Sequence, residues 1–199
     1  MESKPITPAR IYALATVVAF LALASALALS GEPSEWALLS ARYSARAAFL
    51  MFLLVVSAGP ASRYLKSAFW RSLARQRRHL GLAFAALMFL HLAALTINLW
   101  QFAPRTFAEI AGGGITYFLI TLMALTSNES AQRRMGKWWR RLHWIGINAV
   151  LLTFAISYSG RLFRSDYFWT GAVFSPLVLA ALALRLEEMR ASWFARSSR

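Results

Sequence analysis

Arg77 to Trp100 reads RRHLGLAFAALMFLHLAALTINLW, two arginines and a histidine at the start of an apolar run long enough to cross a bilayer. Two of the chain's three histidines lie in it. His91 sits midway along the run. A ligand-type side chain at membrane depth is costly and needs a partner or a task, so His91 is the first functional candidate and the rest of the chain is read outward from it.

The same composition extends over the whole chain. Hydrophobic residues make up 58% of the 199 and charged residues 15%, a balance that belongs to a membrane protein. The formal net charge of +14 would suggest nucleic acid in a soluble protein. Here the basic residues lie between apolar runs, where membrane orientation and anionic lipid headgroups account for them, and nucleic acid is set aside as a partner. There is no Cys. That excludes disulfides, thiolate metal sites, iron–sulfur clusters and covalent haem attachment, and leaves His or non-covalent packing to hold any redox cofactor.

Six apolar runs follow one another, with spans expected at about 11–30, 43–59, 79–100, 110–127, 142–159 and 167–185. The first exceeds the short apolar region of a signal peptide, so an uncleaved helix is expected although Ala26, Leu27 and Ala28 resemble a cleavage site. Gly31 to Ser40 reads as a loop, and Gly59-Pro60 as the end of the second span. Between Ala61 and Arg78 lie six basic residues and no acid. Tyr64, Phe69 and Trp70 there suggest an amphipathic piece lying on the membrane. The fourth run is short after Gly112, Gly113 and Gly114, and must borrow residues before them. A second basic connector, Ser127 to Arg141, carries the capping types Asn128 and Ser130. Pro176 falls inside the sixth run, where it is tolerated in a membrane helix at the cost of a kink.

The expected fold is therefore an all-α integral membrane protein, one domain over 1–199 built as a six-transmembrane-helix bundle. The N-terminus, the two long connectors and the tail together hold 17 Lys and Arg, against five on the other side (Arg42, Arg46, Arg105, Arg161 and Arg164). Positive charge stays inside, so both termini are expected to be cytoplasmic. The glycine triplet lacks the Lys-Ser/Thr sequel of a phosphate-binding loop, and no dinucleotide fingerprint occurs.

Neutral imidazole is a good axial ligand for haem iron, and b-type haems in bundles are commonly clamped between histidines of facing helices. Fourteen residues of helix return to within about 40° of the starting direction, roughly 21 Å further on, so Arg77 and His91 share one face. His79 is rotated about 120° from His91. His143 opens the fifth helix, which runs parallel to the third. It should lie near the level of Arg77 to His79, with His91 about 18 Å deeper than His79. Each histidine also has a plainer reading: His79 as a headgroup contact, His91 as donor to a backbone carbonyl, His143 between Trp139 and Trp144 as an interface residue.

With these residues in view, RRHLGLAFAALMFLHL and the later LTSNESAQRRMGKWWRRLHWIGI resemble the ferric reductase-like transmembrane domain family. The positions that carry the likeness are Arg77, Arg78, Leu80, Gly81, Leu82, His91, Thr126, Ser127, Arg134, Gly136, Trp139, Leu142 and His143. The resemblance implies a six-helix domain of the bacterial inner (cytoplasmic) membrane that holds haem b and passes electrons across the bilayer. His91 and His143 would ligate iron, with His79 as a further candidate, and Arg77 and Arg78 would balance the haem propionates. The family pattern carries another His about thirteen positions after His143, where this chain has Ile156. A flavin and nicotinamide module of the kind larger relatives carry is not expected after the sixth helix, so the electron donor would be a separate reductase or quinol. The competing expectation is a haem-free membrane scaffold or assembly protein on the same fold. A solute transporter is disfavoured, since no acid lies within an expected span.

Overall fold

The computed structural model describes residues 6–197, with the side chains of Glu188 and residues 191–197 outside the description. Lys4 and Arg199, counted in the charge asymmetry, lie outside the described residues, as does the side chain of Arg196. The described chain folds into eight α-helices and no strand: α1 (Pro8–Leu29), α2 (Pro33–Tyr64), α3 (Ala68–Arg75), α4 (Arg77–Gln101), α5 (Phe107–Leu125), α6 (Glu129–Met135), α7 (Lys137–Ser159) and α8 (Phe168–Ser197). Two 3-10 turns, Gly160–Phe163 and Ser165–Tyr167, join α7 to α8. Among the described residues six helices are long and apolar enough to cross a membrane: α1, α2, α4, α5, α7 and α8.

Local chemistry sets the helix starts. Pro8 and Pro33 open α1 and α2, where a missing N–H costs nothing. Ser67 caps α3, and the Asn128 side chain accepts from the Ala131 N–H at 2.8 Å to cap α6. A capping box of Thr106 and Glu109 starts α5 at Phe107, ahead of the glycine triplet. Gly136 joins α6 to α7 at φ +51°, a left-handed conformation that glycine adopts without a β-carbon penalty.

Two expected boundaries move. The segment read as a loop from Gly31 to Ser40 is helical from Pro33 onward, with Glu35 in the first turn of α2. Gly59-Pro60 does not end the second helix, because α2 continues through Pro60 to Tyr64. Pro60 is buried, and a membrane helix tolerates proline where packing against neighbouring helices holds it in place. α8 likewise runs through Pro176 without interruption.

Helix α2 is the centre of the bundle, and its contact with α4 is the most extensive in the molecule. Lipid tails are as apolar as leucine, so membrane helices associate through close packing of small residues. α2 supplies them at Ala37, Ser40, Ala41, Ser44, Ala47 and Ala48, all buried. Lower on the helix, Phe49 packs on Phe154 (4.9 Å between ring centroids) and Tyr158 (5.0 Å) of α7, and Phe52 on Phe84 (5.2 Å) of α4. The short α3 is amphipathic and buries Ser72 and Leu73; Ser72 Oγ accepts the Ile6 N–H at 2.9 Å, tying the start of the described chain to this end of the bundle.

Candidate functional site

The shared face of Arg77 and His91 is the face of α4 that meets α2. The Arg77 guanidinium lies against Gly59, with Nη1 3.0 Å from where a β-carbon on that glycine would be. Fourteen residues on, the His91 Nδ1 lies 3.4 Å from Ser44 Oγ. Gly59 and Ser44 are fifteen apart on the antiparallel α2, so the two helices are in register over about 21 Å.

Two acceptors on α2 meet His91, the Ala41 carbonyl and Ser44 Oγ. The Ser44 hydroxyl donates to the Ser40 carbonyl at 2.6 Å, which leaves the oxygen as an acceptor for the His91 Nδ1–H. On its other side the ring faces α5, with Tyr117 at 6.3 Å between centroids and an interplanar angle of 35°. The Tyr117 hydroxyl is buried without a hydrogen-bond partner.

His143, on the first turns of α7, is arranged in the same sense by different residues. Nδ1 lies 3.1 Å from the Trp139 carbonyl, which can only accept, so Nδ1 carries the proton. The imidazole stacks on the Trp139 ring at 4.0 Å and 28°. The Trp139 indole in turn donates from Nε1 to the Thr126 carbonyl at 2.9 Å. His143 Nε2 is buried and makes no hydrogen bond. The nearby Met123 carbonyl accepts from Ser127 Oγ at 2.6 Å. A buried lone pair without a partner is costly, and an axial metal bond is one interaction that satisfies it.

His79 faces elsewhere: its Nδ1 is 3.0 Å from the Tyr12 hydroxyl of α1, and the two rings meet edge to face. Arg78 is exposed. The structure thus draws Arg77 and His91 onto one helix seam and gives His143 a separate place on the α5–α7 seam. α4 and α7 make no substantial contact with each other. α5 stands between the two seams, meeting His91 through Tyr117 and His143 through Met123, six residues or about 9 Å of helix rise apart. Ile156 is 67% exposed on α7. Among the described residues no group of three His, Cys, Asp or Glu side chains forms a metal-ion site.

These features fit a haem held by imidazole. Each of the two deeper histidines is held by acceptors on the protein, the arrangement that orients metal-bound histidines. Sequence reasoning missed Ser44 and Tyr117. The signal for Ser44 was present in the small residues spaced three and four apart from Ala37 to Ala48. Nothing in the sequence pointed to Tyr117.

Comparison with known proteins bears on the same region. The family described as ferric reductase like transmembrane component matches residues 40–154, which takes in α4, α5, His91 and His143. The chain is 31% identical over 160 residues to proteins named protein-methionine-sulfoxide reductase heme-binding subunit MsrQ from Salmonella paratyphi B, Salmonella newport and Salmonella heidelberg. Each alignment covers 73% of this chain and 73% of the relative. No solved structure matches the chain.

Proposed function

The chain belongs to the ferric reductase-like transmembrane family, and on that premise we propose that it is a haem-b-binding transmembrane electron-transfer subunit, multi-pass in the bacterial inner membrane, that works with separate donor and acceptor proteins. The observation that carries the reading is His143 Nε2, buried and without a hydrogen bond, on an imidazole whose other nitrogen meets the Trp139 carbonyl and which lies beside the Met123 carbonyl of α5. His91, held by Ser44 and the Ala41 carbonyl on a different seam, is the other candidate ligand.

Bound haem supplies one-electron chemistry between ferric and ferrous iron. The chain's own part is to hold and insulate it. His91 and His143 would each hold haem iron from its own seam, Ser44 and Trp139 would set the ring orientations, and the aromatic side chains around α2 and α7 keep water out of the bundle. Arg77 contributes from the α2–α4 seam and Arg78 from the exposed surface, where each favours the carboxylates of the macrocycle. The donor is a separate reductase or quinol. The relatives' name supports a methionine sulfoxide reductase as the catalytic partner. The excess of Lys and Arg on the side of the connectors supports cytoplasmic termini.

A dithionite-reduced minus oxidised absorbance spectrum of the purified protein tests the reading. Bands of b-type haem are the expected result. A spectrum without them, from protein purified out of haem-replete cells, would favour the haem-free scaffold.

A further inference from the structure

At the end of the bundle away from the basic connectors, three arginines converge with no described carboxylate paired to them; Asp166 of the same turn is exposed and meets Ser165. Arg42 and Arg46 lie one turn apart on α2, and Arg161 comes from the turn after α7. The first two are on the far side of α2 from Ser44 and His91, since two residues of helix turn about 200°. They face α8: Arg42 Nη2 donates to the Tyr167 hydroxyl at 2.5 Å, and Arg46 Nη2 to Thr170 Oγ1 at 3.1 Å. Each guanidinium also sits over a ring, Arg42 over Tyr167 at 4.8 Å, Arg46 over Tyr43 at 5.2 Å and Arg161 over Tyr158 at 5.1 Å. A guanidinium stacked on a ring keeps its in-plane N–H donors free.

Tyr167, Thr170 and the Tyr158 hydroxyl take some of those donors, and the rest meet no acid among the described residues. No described carboxylate pairs with Arg42, Arg46 or Arg161, and the charges acting on Arg46 include the other two arginines and no acid. Arg46 Nε is buried without a hydrogen-bond partner. The hydroxyl of Tyr158, a residue only 1% exposed, lies against the Arg161 side chain. Three like charges and an unsatisfied guanidinium nitrogen in one half-buried place call for an anion. The turn is held there by design of the backbone: a β-carbon on Gly171 would lie 2.8 Å from the Leu162 nitrogen, so glycine is what lets Arg161 and Leu162 close onto α8.

The level in the membrane identifies the anion. α2 carries no charge from Ala47 to Ser62, about 24 Å of helix, between Arg46 and Arg63. Arg46 therefore stands where the apolar core ends, and Tyr43, Tyr167 and Trp169 supply the aromatic residues typical of that boundary. We propose that Arg42, Arg46 and Arg161 bind the phosphate of an anionic phospholipid headgroup and so clamp the α7–α8 turn to α2. The site is independent of haem ligation.

Native mass spectrometry of the full-length protein, released from nanodiscs containing phosphatidylglycerol and phosphatidylcholine in equal amounts, tests this. Wild-type protein should retain phosphatidylglycerol selectively. Arg46→Gln and Arg161→Gln should each weaken that retention about five-fold, the value of one arginine at an anionic membrane surface. Gly171→Val, which displaces the turn without changing charge, should weaken it too, whereas Arg105→Gln at the same end should not. Should Arg46→Gln fail to fold, Arg161→Gln on the turn carries the test. Displacement of the lipid by millimolar inorganic phosphate would support the oxyanion site but reassign its source to free phosphate. Equal retention of the two lipids by wild type, or arginine variants indistinguishable from it, would overturn the proposal, as would binding of polyglutamate in place of lipid. Haem absorbance recorded on the same samples keeps the two readings apart, since lipid retention is expected whether or not haem is present.

Discussion

Ser44 Oγ and His91 Nδ1 meet at 3.4 Å across the α2–α4 seam, and the Ser44 proton is already committed to the Ser40 carbonyl at 2.6 Å. Together with the Ala41 carbonyl, this hydroxyl orients the deepest histidine. Outer partners of this kind commonly change metal affinity by about 10–100-fold when removed. Ser44→Ala is expected to weaken haem binding within that range while leaving the bundle folded, because the small side chain still lets α2 and α4 approach. Haem titration of the apoprotein would measure it, and an affinity equal to wild type would remove Ser44 from the site.

His91 and His143 occupy different seams, with α5 between them. Each single replacement by Ala is therefore expected to lower the haem-to-protein ratio in part, with a change in the spectrum that differs between the two. Complete loss of haem in both single variants would instead mean one haem shared by the pair, and full retention in His91→Ala would displace His91 as a ligand.

The Met123 side chain occupies the place a β-carbon on Gly146 would take, and Gly146 lies one turn beyond His143. Gly146→Val is expected to force α5 away from α7 at a cost of about 1–3 kcal/mol. The thermal midpoint in detergent should fall, and Met123→Ala in the same chain should recover part of the loss. Gly81, with nothing near its β-position, should accept Ala without such a fall.

Arg77 makes a complementary case. Its guanidinium rests on Gly59, so Gly59→Leu should destabilise the α2–α4 seam, and Arg77→Ala should relieve the effect. Additive losses in the double variant would show that the two residues do not compete for the same space. Arg77→Ala alone tests the carboxylate-balancing role through the haem-to-protein ratio.

Reporter fusions at Arg199 address orientation. A reporter active only in the cytoplasm should be active there, as the 17 to five distribution of Lys and Arg requires. Activity of a periplasm-dependent reporter at that position would reverse the bundle.

Six apolar runs separated by polar or basic connectors were enough to determine from the sequence that the chain is a membrane bundle, because a bilayer leaves an apolar segment of that length no alternative to a helix. The common face of Arg77 and His91 was equally legible, since helix geometry alone places residues fourteen apart in line. The end of the second span was not. Gly59-Pro60 reads as a stop by local propensity, yet α2 runs on to Tyr64 because this stretch is packed inside the bundle, with Ala58, Gly59, Pro60 and Ala61 buried. Only the tertiary structure decided what each histidine meets: Tyr12 for His79, Ser44 and Tyr117 for His91, Trp139 and the α5 backbone for His143. Those partners come from other helices or from side-chain rotation, and periodicity along one helix carries no information about either. The convergence of Arg42 and Arg46 with Arg161 was hidden for the same reason, being made by a turn more than a hundred residues away that folds back on Gly171.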